Sequence, residues 1–193
     1  LSGRLKRKNI IHLNEHAATA LIEDLSDTTL KVSAVDKKAF RRRTAPPFMT
    51  STLQQEASRK LGMTATMTMR TAQSLYEKGL ITYMRTDSLT LSKAAYDITR
   101  DIIHQNYGQE YLPAKPRHYS SKVKNAQEAH EAIRPTGDYF KNPNKASSTL
   151  SQPEVQLYEL IWKRTLASQM TDTVGSTVQV RVGGTTADKR DVE

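Results

Sequence analysis

The chain has 193 residues, with 29 Lys and Arg against 20 Asp and Glu, a formal net charge of +9, an apolar share of 37% and no cysteine. These values exclude a disulfide framework and a thiolate zinc site, and the apolar share is enough to build a core rather than a disordered chain. The charge favours a polyanionic partner, because each phosphate neutralised by a cation releases condensed counterions.

Nucleic acid fits that charge better than an anionic membrane surface, for which a long basic amphipathic helix is missing. No stretch approaches the length of a membrane span, and no signal peptide opens the chain. The first residue, Leu1, and the polar run ending at Glu193 lead us to expect an excised fragment of a longer protein. The lack of cysteine fits a cytosolic one.

In chain order, a basic stretch (Arg4, Lys6, Arg7, Lys8) precedes Ile10, Ile11 and Leu13. Asn14 is placed to cap a short helix carrying Ala17, Ala18, Leu21 and Ile22, with Glu15 in its first turn. Leu30, Val32 and Ala34 alternate as in a half-buried strand, which runs into the basic residues from Lys37 to Arg43. Those cations suit phosphate contact or the protection of a strand edge equally well. Pro46 and Pro47 cannot donate to a ladder and mark a boundary.

Beyond the prolines the period becomes helical. Thr52 and Gln55 predict a capping box, Leu53, Ala57 and Leu61 one apolar face, and Gly62 a left-handed cap. A second helix follows Thr64, with Met67, Thr71, Ala72 and Leu75 turned inward, and closes at Gly79. Leu80 to Met84 read as a short extended segment. Ser92 opens a third helix with Ala95, Ile98 and Ile102 in one stripe and Gly108 past its end. Residues 109–124 read as a loop and 125–133 as a short helix stopped before Pro135.

Ser151 and Glu154 then frame a capping box, with Pro153 in the first turn of a helix to about Met170 carrying Val155, Tyr158, Trp162 and Leu166. Val174, Val178, Val180 and Val182 return to strand character. Met63, Met67 and Met69 are expected in packing, as is Trp162. The expected class is α+β: a mainly helical domain, 45–170, inserted into a discontinuous β-rich domain made of 1–44 and 171–193.

Two runs are dense in chemistry. In Ile81-Thr82-Tyr83-Met84-Arg85-Thr86-Asp87-Ser88, a guanidinium two residues from a phenol along an extended segment shares its side. Arg85 is then placed to hold a phosphate that Tyr83 attacks. The same spacing also fits a strand-to-turn segment with one half-buried tyrosine. In Asn125-Ala126-Gln127-Glu128-Ala129-His130-Glu131-Ala132-Ile133-Arg134-Pro135, helical spacing would put Gln127, His130, Glu131 and Arg134 on one face. His130 there could contact a phosphate or trade a proton, tuned by Glu131 or Glu128. A solvated charged face is the alternative. No Asp-x-Asp-x-Glu cluster or Gly-rich phosphate loop is present, so no metal site is expected.

Together with Pro47-Phe48-Met49-Thr50-Ser51-Thr52-Leu53-Gln54-Gln55-Glu56, the runs Gly79 to Ser88 and Gln127 to Pro135 resemble the type IA DNA topoisomerases, in order and separation, over roughly 44–170. The resemblance implies that Tyr83 attacks one DNA strand and becomes linked to its 5′ phosphate. It implies that Arg85 contacts the scissile phosphate, that His130 binds and orients DNA, and that Thr86 and Arg134 contribute DNA contacts. The helical part would be the lid-like third domain and the flanking β parts the arch-forming second.

It further implies magnesium in the full-length enzyme, with ligands outside this stretch and no cofactor within it. A single-stranded segment of negatively supercoiled duplex would be the substrate, relaxed by strand passage and resealing. The setting would be a monomer in the bacterial cytoplasm, at the nucleoid and not at a membrane. The stretch alone would be inactive. A non-catalytic nucleic-acid-binding module is the competing reading, with Tyr83 stacking on a base. Convergence of Tyr83 and His130 on one phosphate-sized pocket would favour cleavage over mere binding.

Overall fold

The computed structural model describes residues 2–5, 9–119, 130–186 and 191–192. The chain forms an α+β structure in two compact units, one made of 1–41 with 174–193 and the other of 42–173.

In the first unit β1 (Ser2–Leu5) and β2 (Asn9–His12) form an antiparallel hairpin, with Ser2 opposite His12 and Leu5 opposite Asn9. Helix α1 (Glu15–Ser26) starts as expected, the Asn14 side chain accepting from the Ala17 amide at 2.9 Å. A three-stranded sheet follows in the order β3-β4-β5, from β3 (Lys31–Arg42), β4 (Thr173–Thr185) and β5 (Asp191–Val192). β4 makes close approaches that need glycine. A Cβ on Gly175 would stand 2.8 Å from the Phe40 ring, and one on Gly184 would stand 2.9 Å from the Thr29 carbonyl.

The alternating valines of these strands are not half-buried. Val32, Val35, Val174 and Val178 are all more than half exposed, because no other described element covers them.

The second unit holds the hydrophobic core. Its centre is α6 (Gln152–Gln169), which buries Leu157, Tyr158, Ile161, Trp162, Thr165 and Leu166 on one broad face and leaves Lys163 exposed on the other. Against it pack α2 (Thr50–Leu61), α3 (Ala65–Glu77), α4 (Lys93–Tyr107) and the short α5 (Pro143–Ala146). The core takes Leu53 and Ala57 from α2, Ala72 and Leu75 from α3, and Ala95 and Ile103 from α4. Met63 and Trp162 are buried and Met69 packs against the core, whereas Met67 is 41% exposed instead of inward, its inward place on α3 taken by Thr68.

Local capping chemistry fixes most helix starts. Thr64 accepts from the Met67 amide at 3.1 Å, Ser92 from Ala95 at 3.3 Å, and Glu154 reaches back to the Ser151 amide at 2.8 Å. Gly62 takes the left-handed cap at φ 66°. Helix α2 starts earlier than its Thr52 box implied. Its cap is Met49, and Thr52 serves from inside the first turn by accepting from the Met49 amide at 3.1 Å.

Two expectations for the motif segments are corrected. Leu80 to Met84 is not a continuous strand: Ile81 alone forms a bridge, to Pro135, and the chain bends at Thr82, Met84 and Arg85. The helix expected over 125–133 is absent from its described part, since 130–135 is extended, with Ile133 bridged to Phe48. Residues 120–129, including Gln127 and Glu128, lie outside the described residues.

Candidate active site

The three motifs are laced together through their backbones. The Ile133 amide donates to the Phe48 carbonyl at 2.8 Å, and the Thr82 amide donates to the Arg134 carbonyl at 2.9 Å. Ala132 donates to Thr90 at 2.8 Å and Thr136 to Leu80 at 3.1 Å. The Thr82 hydroxyl adds a donation to Ala132 O (2.8 Å) and accepts from the Arg134 amide (3.0 Å). These non-local bonds satisfy the 130–136 backbone in extended form, which is why the three- and four-residue spacing of its charges does not make a helix.

From the other side, the head of α2 grips the same loop. The Thr50 hydroxyl donates to Met84 O (2.7 Å) and accepts from the Thr86 amide (2.9 Å). The Thr86 hydroxyl in turn accepts from the Ser88 amide at 3.1 Å, a side-chain turn that buries Thr86 and Ser88. Tyr83 thus sits on a short segment fixed at Thr82 behind it and at Met84 and Thr86 ahead of it.

The lacing brings Tyr83 and His130 together, with ring centroids 6.4 Å apart and planes tilted by 37°. On its other side Tyr83 meets Tyr76 edge-on at 5.3 Å and 68°. The Tyr83 side chain remains 40% exposed, so its phenol is open to an incoming ligand. His130 also lines an open cavity of about 560 Å³ together with Met49, Thr50, Gln54, Arg85 and Asp87. Ser51 and Thr86 complete the wall.

The cavity wall carries one cation and one carboxylate. Arg85 is exposed and, among the described residues, no carboxylate pairs with it. The amino end of α2 opens on the same space through Met49, Thr50 and Ser51, adding the positive end of a helix dipole. Asp87 is the one carboxylate in the wall. Such an arrangement is suited to an anion of phosphate size beside an accessible phenol.

Arg134 is placed differently from Arg85. Its guanidinium is mostly buried, ion-paired with Glu131, and donates to Pro135 O at 2.7 Å and to the Ser92 hydroxyl at 3.4 Å. Glu131 is therefore spent on Arg134 and not on His130. Among the described residues no group of three or more His, Asp or Glu converges as a metal site would require. Asp87 alone in the cavity wall is too small a donor set for magnesium. No described helix is long and apolar enough to cross a membrane.

The sequence profile of the DNA topoisomerase family matches residues 3–191. The chain belongs to that family. Its relatives include DNA topoisomerase 1 of Streptomyces coelicolor, 56% identical over 99% of this chain, and that of Mycolicibacterium smegmatis, 54% identical over 94%. The chain spans about one fifth of the length of each (20%). Among solved structures, full-length topoisomerase I from Thermotoga maritima superposes with a TM-score of 0.72 at 36% identity, over 97% of this chain and 30% of that one. The resemblance drawn from the three motifs thus holds at the level of the family.

Two members of this constellation escaped the sequence reading. Thr50 lies in a quoted motif, but its bonds to residues 34 and 36 positions away have no local signature. Tyr76 reads as an ordinary helix residue. Only the turn at Gly79, with φ 67°, brings Tyr83 back against it. A second cavity, about 330 Å³ between α2 and α6 and lined by Lys60, Leu160 and Lys163 among others, contains no motif residue.

Proposed function

We propose that this chain is the tyrosine-bearing part of a type IA DNA topoisomerase, and that Tyr83 is its cleavage nucleophile. The observation that carries the reading is the placement of an exposed Tyr83 against His130, which with Arg85 lines a neighbouring open cavity. In the proposed step the Tyr83 phenol oxygen bonds to a backbone phosphorus. The bond to the 3′ oxygen of the preceding nucleotide breaks, the phenol gives up its proton, and the 3′ oxygen takes one up. The phosphotyrosine link stores the phosphodiester's energy, so resealing is the reverse reaction and needs no nucleotide cofactor.

Arg85 is given the role of holding the scissile phosphate and offsetting charge on its oxygens. His130 is given a second contact to the DNA from the same cavity wall, and Thr86 a place in it. Arg134, whose donors are already committed, is better suited to holding the 130–135 segment in place than to touching DNA directly. A phenol has an ordinary pKa near 10 and an arginine cannot act as a base. His130 is a described neighbour of Tyr83 able to trade a proton, while protonation of the leaving 3′ oxygen is assigned to groups of the longer protein.

For that reason the chain alone is proposed to be inactive, with magnesium held elsewhere in the longer protein. Relaxation of negatively supercoiled DNA by strand passage, action on single-stranded segments, a monomeric state and a place at the bacterial nucleoid in the cytoplasm all belong to that longer protein. The division into a helical domain over 45–170, with 1–44 and 171–193 as parts of an arch, is proposed for it as well.

The test is recovery of protein covalently linked to end-labelled single-stranded DNA after a denaturant quench, using the full-length parent. Tyr83→Phe removes only the attacking oxygen and is expected to fold, bind DNA and form no adduct. An adduct formed by that variant, or by the isolated chain with magnesium alone, overturns the assignment.

A further inference from the structure

Tyr76 is tied to no chemistry by the three motifs, yet its ring lies closer to Tyr83 than that of His130, 5.3 Å against 6.4 Å. We propose that Tyr76 is a positioning residue for strand cleavage, a fixed aromatic wall that holds the Tyr83 ring in its attacking orientation. The proposal rests on the reading of Tyr83 as nucleophile.

The platform is rigid for stated reasons. Tyr76 stands on the last turn of α3, directly after Leu75, which is fully buried. On either side of it, the Ser74 hydroxyl and the Lys78 ammonium both donate to the buried Glu154 of α6, at 2.7 and 2.6 Å. That pair fastens the end of α3 to the central helix. The chain then reverses at Gly79, whose amide donates to the Tyr76 carbonyl at 2.8 Å and whose φ of 67° disfavours a side chain. Leu80 closes the turn by donating to Leu75 O at 2.9 Å. Tyr76 and Tyr83 are thereby brought together by the backbone, not by mutual attraction alone.

What the contact adds is control of a side chain that would otherwise be loosely held. Tyr83 is 40% exposed, and among the described residues its phenol makes no hydrogen bond. Among the described aromatic rings, those of Tyr76 and His130 flank it. An attacking oxygen free to swing spends less time in line with the phosphorus, and the rate falls in proportion. Edge-on ring contacts of this kind favour one rotamer enough to change a rate by about 3- to 10-fold. Tyr76 is itself 41% exposed, so replacing it leaves the core untouched.

The experiment measures single-turnover adduct formation on a labelled oligonucleotide with the full-length parent carrying Tyr76→Ala, Tyr76→Leu or Tyr76→Phe, alongside Tyr83→Phe. Melting and oligonucleotide affinity are recorded for each. Alanine and leucine are expected to slow adduct formation by about 3- to 10-fold with affinity and melting unchanged, and phenylalanine, which keeps the ring, to restore the rate. An unchanged rate in both the alanine and leucine variants overturns the proposal. So does a phenylalanine variant as slow as alanine, which would put the role in the hydroxyl. A loss confined to affinity overturns it too, since Tyr76 would then be a DNA contact. Adduct from Tyr83→Phe instead removes the underlying reading, a result separate from any of these.

Discussion

Thr50 and Thr86 hold each other by two bonds of opposite sense: the Thr50 amide donates to the Thr86 carbonyl at 2.9 Å, and the Thr86 amide donates to the Thr50 hydroxyl at 2.9 Å. The same hydroxyl donates to Met84 O at 2.7 Å, so one side chain at the head of α2 fixes the loop that follows Tyr83. Thr50→Val preserves shape and removes every hydroxyl bond, including a further one to the Thr86 carbonyl at 3.0 Å, leaving the buried Thr86 amide without its partner. A cost of about 1–3 kcal/mol in urea unfolding is expected. Adduct formation by the full-length parent should fall as well, because Met84 to Thr86 would no longer be pinned. Unfolding curves that overlay the wild type would show that the double bond is not holding the loop.

Arg85 offers a cleaner contrast because nothing described in the protein pairs with it. In the full-length parent, Arg85→Ala should reduce adduct formation by about 10²–10³, the range for losing one donor to a charged transition state. Arg85→Lys should be milder, since it keeps the charge while losing the planar fork. Single-turnover cleavage at saturating oligonucleotide separates the two. Equal rates for alanine and lysine would mean that charge at this position does not act on the phosphate.

How far the sequence carried this site depends on the range of the forces involved. The caps at Asn14, Thr64, Ser92 and Ser151 and the left-handed turn at Gly62 are settled by residues within four positions, and they fall where expected. Residues 130–135 do not, because bonds to Phe48 and to Thr82 outweigh a local charge pattern that reads as helix. The valines of β3 and β4 carry the period of a half-buried strand, but what would bury them is not among the described elements. Tyr83 and His130 were legible as separate runs. Their approach followed from the family resemblance, but the backbone lacing that produces it was not legible, nor was the Tyr76 wall, since neither has a signature in adjacent residues.

The net charge of +9 predicts weak, salt-dependent binding of single-stranded DNA by this chain alone. If about two to four phosphates are neutralised, the logarithm of the association constant should fall with that of salt at a slope of about −1.4 to −2.8. Arg85→Ala should make the slope shallower by about 0.7, the share of one phosphate contact. Fluorescence anisotropy with a labelled oligonucleotide at several salt concentrations measures both. An affinity that is flat with salt, or no binding at low salt, counts against the cavity at Arg85 as a DNA contact.

Glu154 gives the stability of the second unit a defined pH dependence. The Lys78 ammonium first, then the Ser74 hydroxyl, hold its carboxyl down to about 2 from an ordinary 4.5, against burial, which works the other way. The Ser151 amide and hydroxyl add to the lowering. A carboxyl whose folded pKa lies below its unfolded one stabilises the fold at any pH above the unfolded value. That contribution is lost as pH falls from about 4.5 towards 2, where the folded form also takes up its proton. Lys78 is partly exposed, so solvent screening trims the benefit, and about 2 kcal/mol is a reasonable scale at neutral pH. Trp162, the single tryptophan of the chain, lies on the same helix as Glu154 and reports unfolding of this unit by its fluorescence. Glu154→Gln should be less stable than wild type to urea at pH 7, with the gap closing as pH approaches 2. A gap of constant size across that range would mean that the ion pair with Lys78 contributes nothing and that only the shape of the side chain matters.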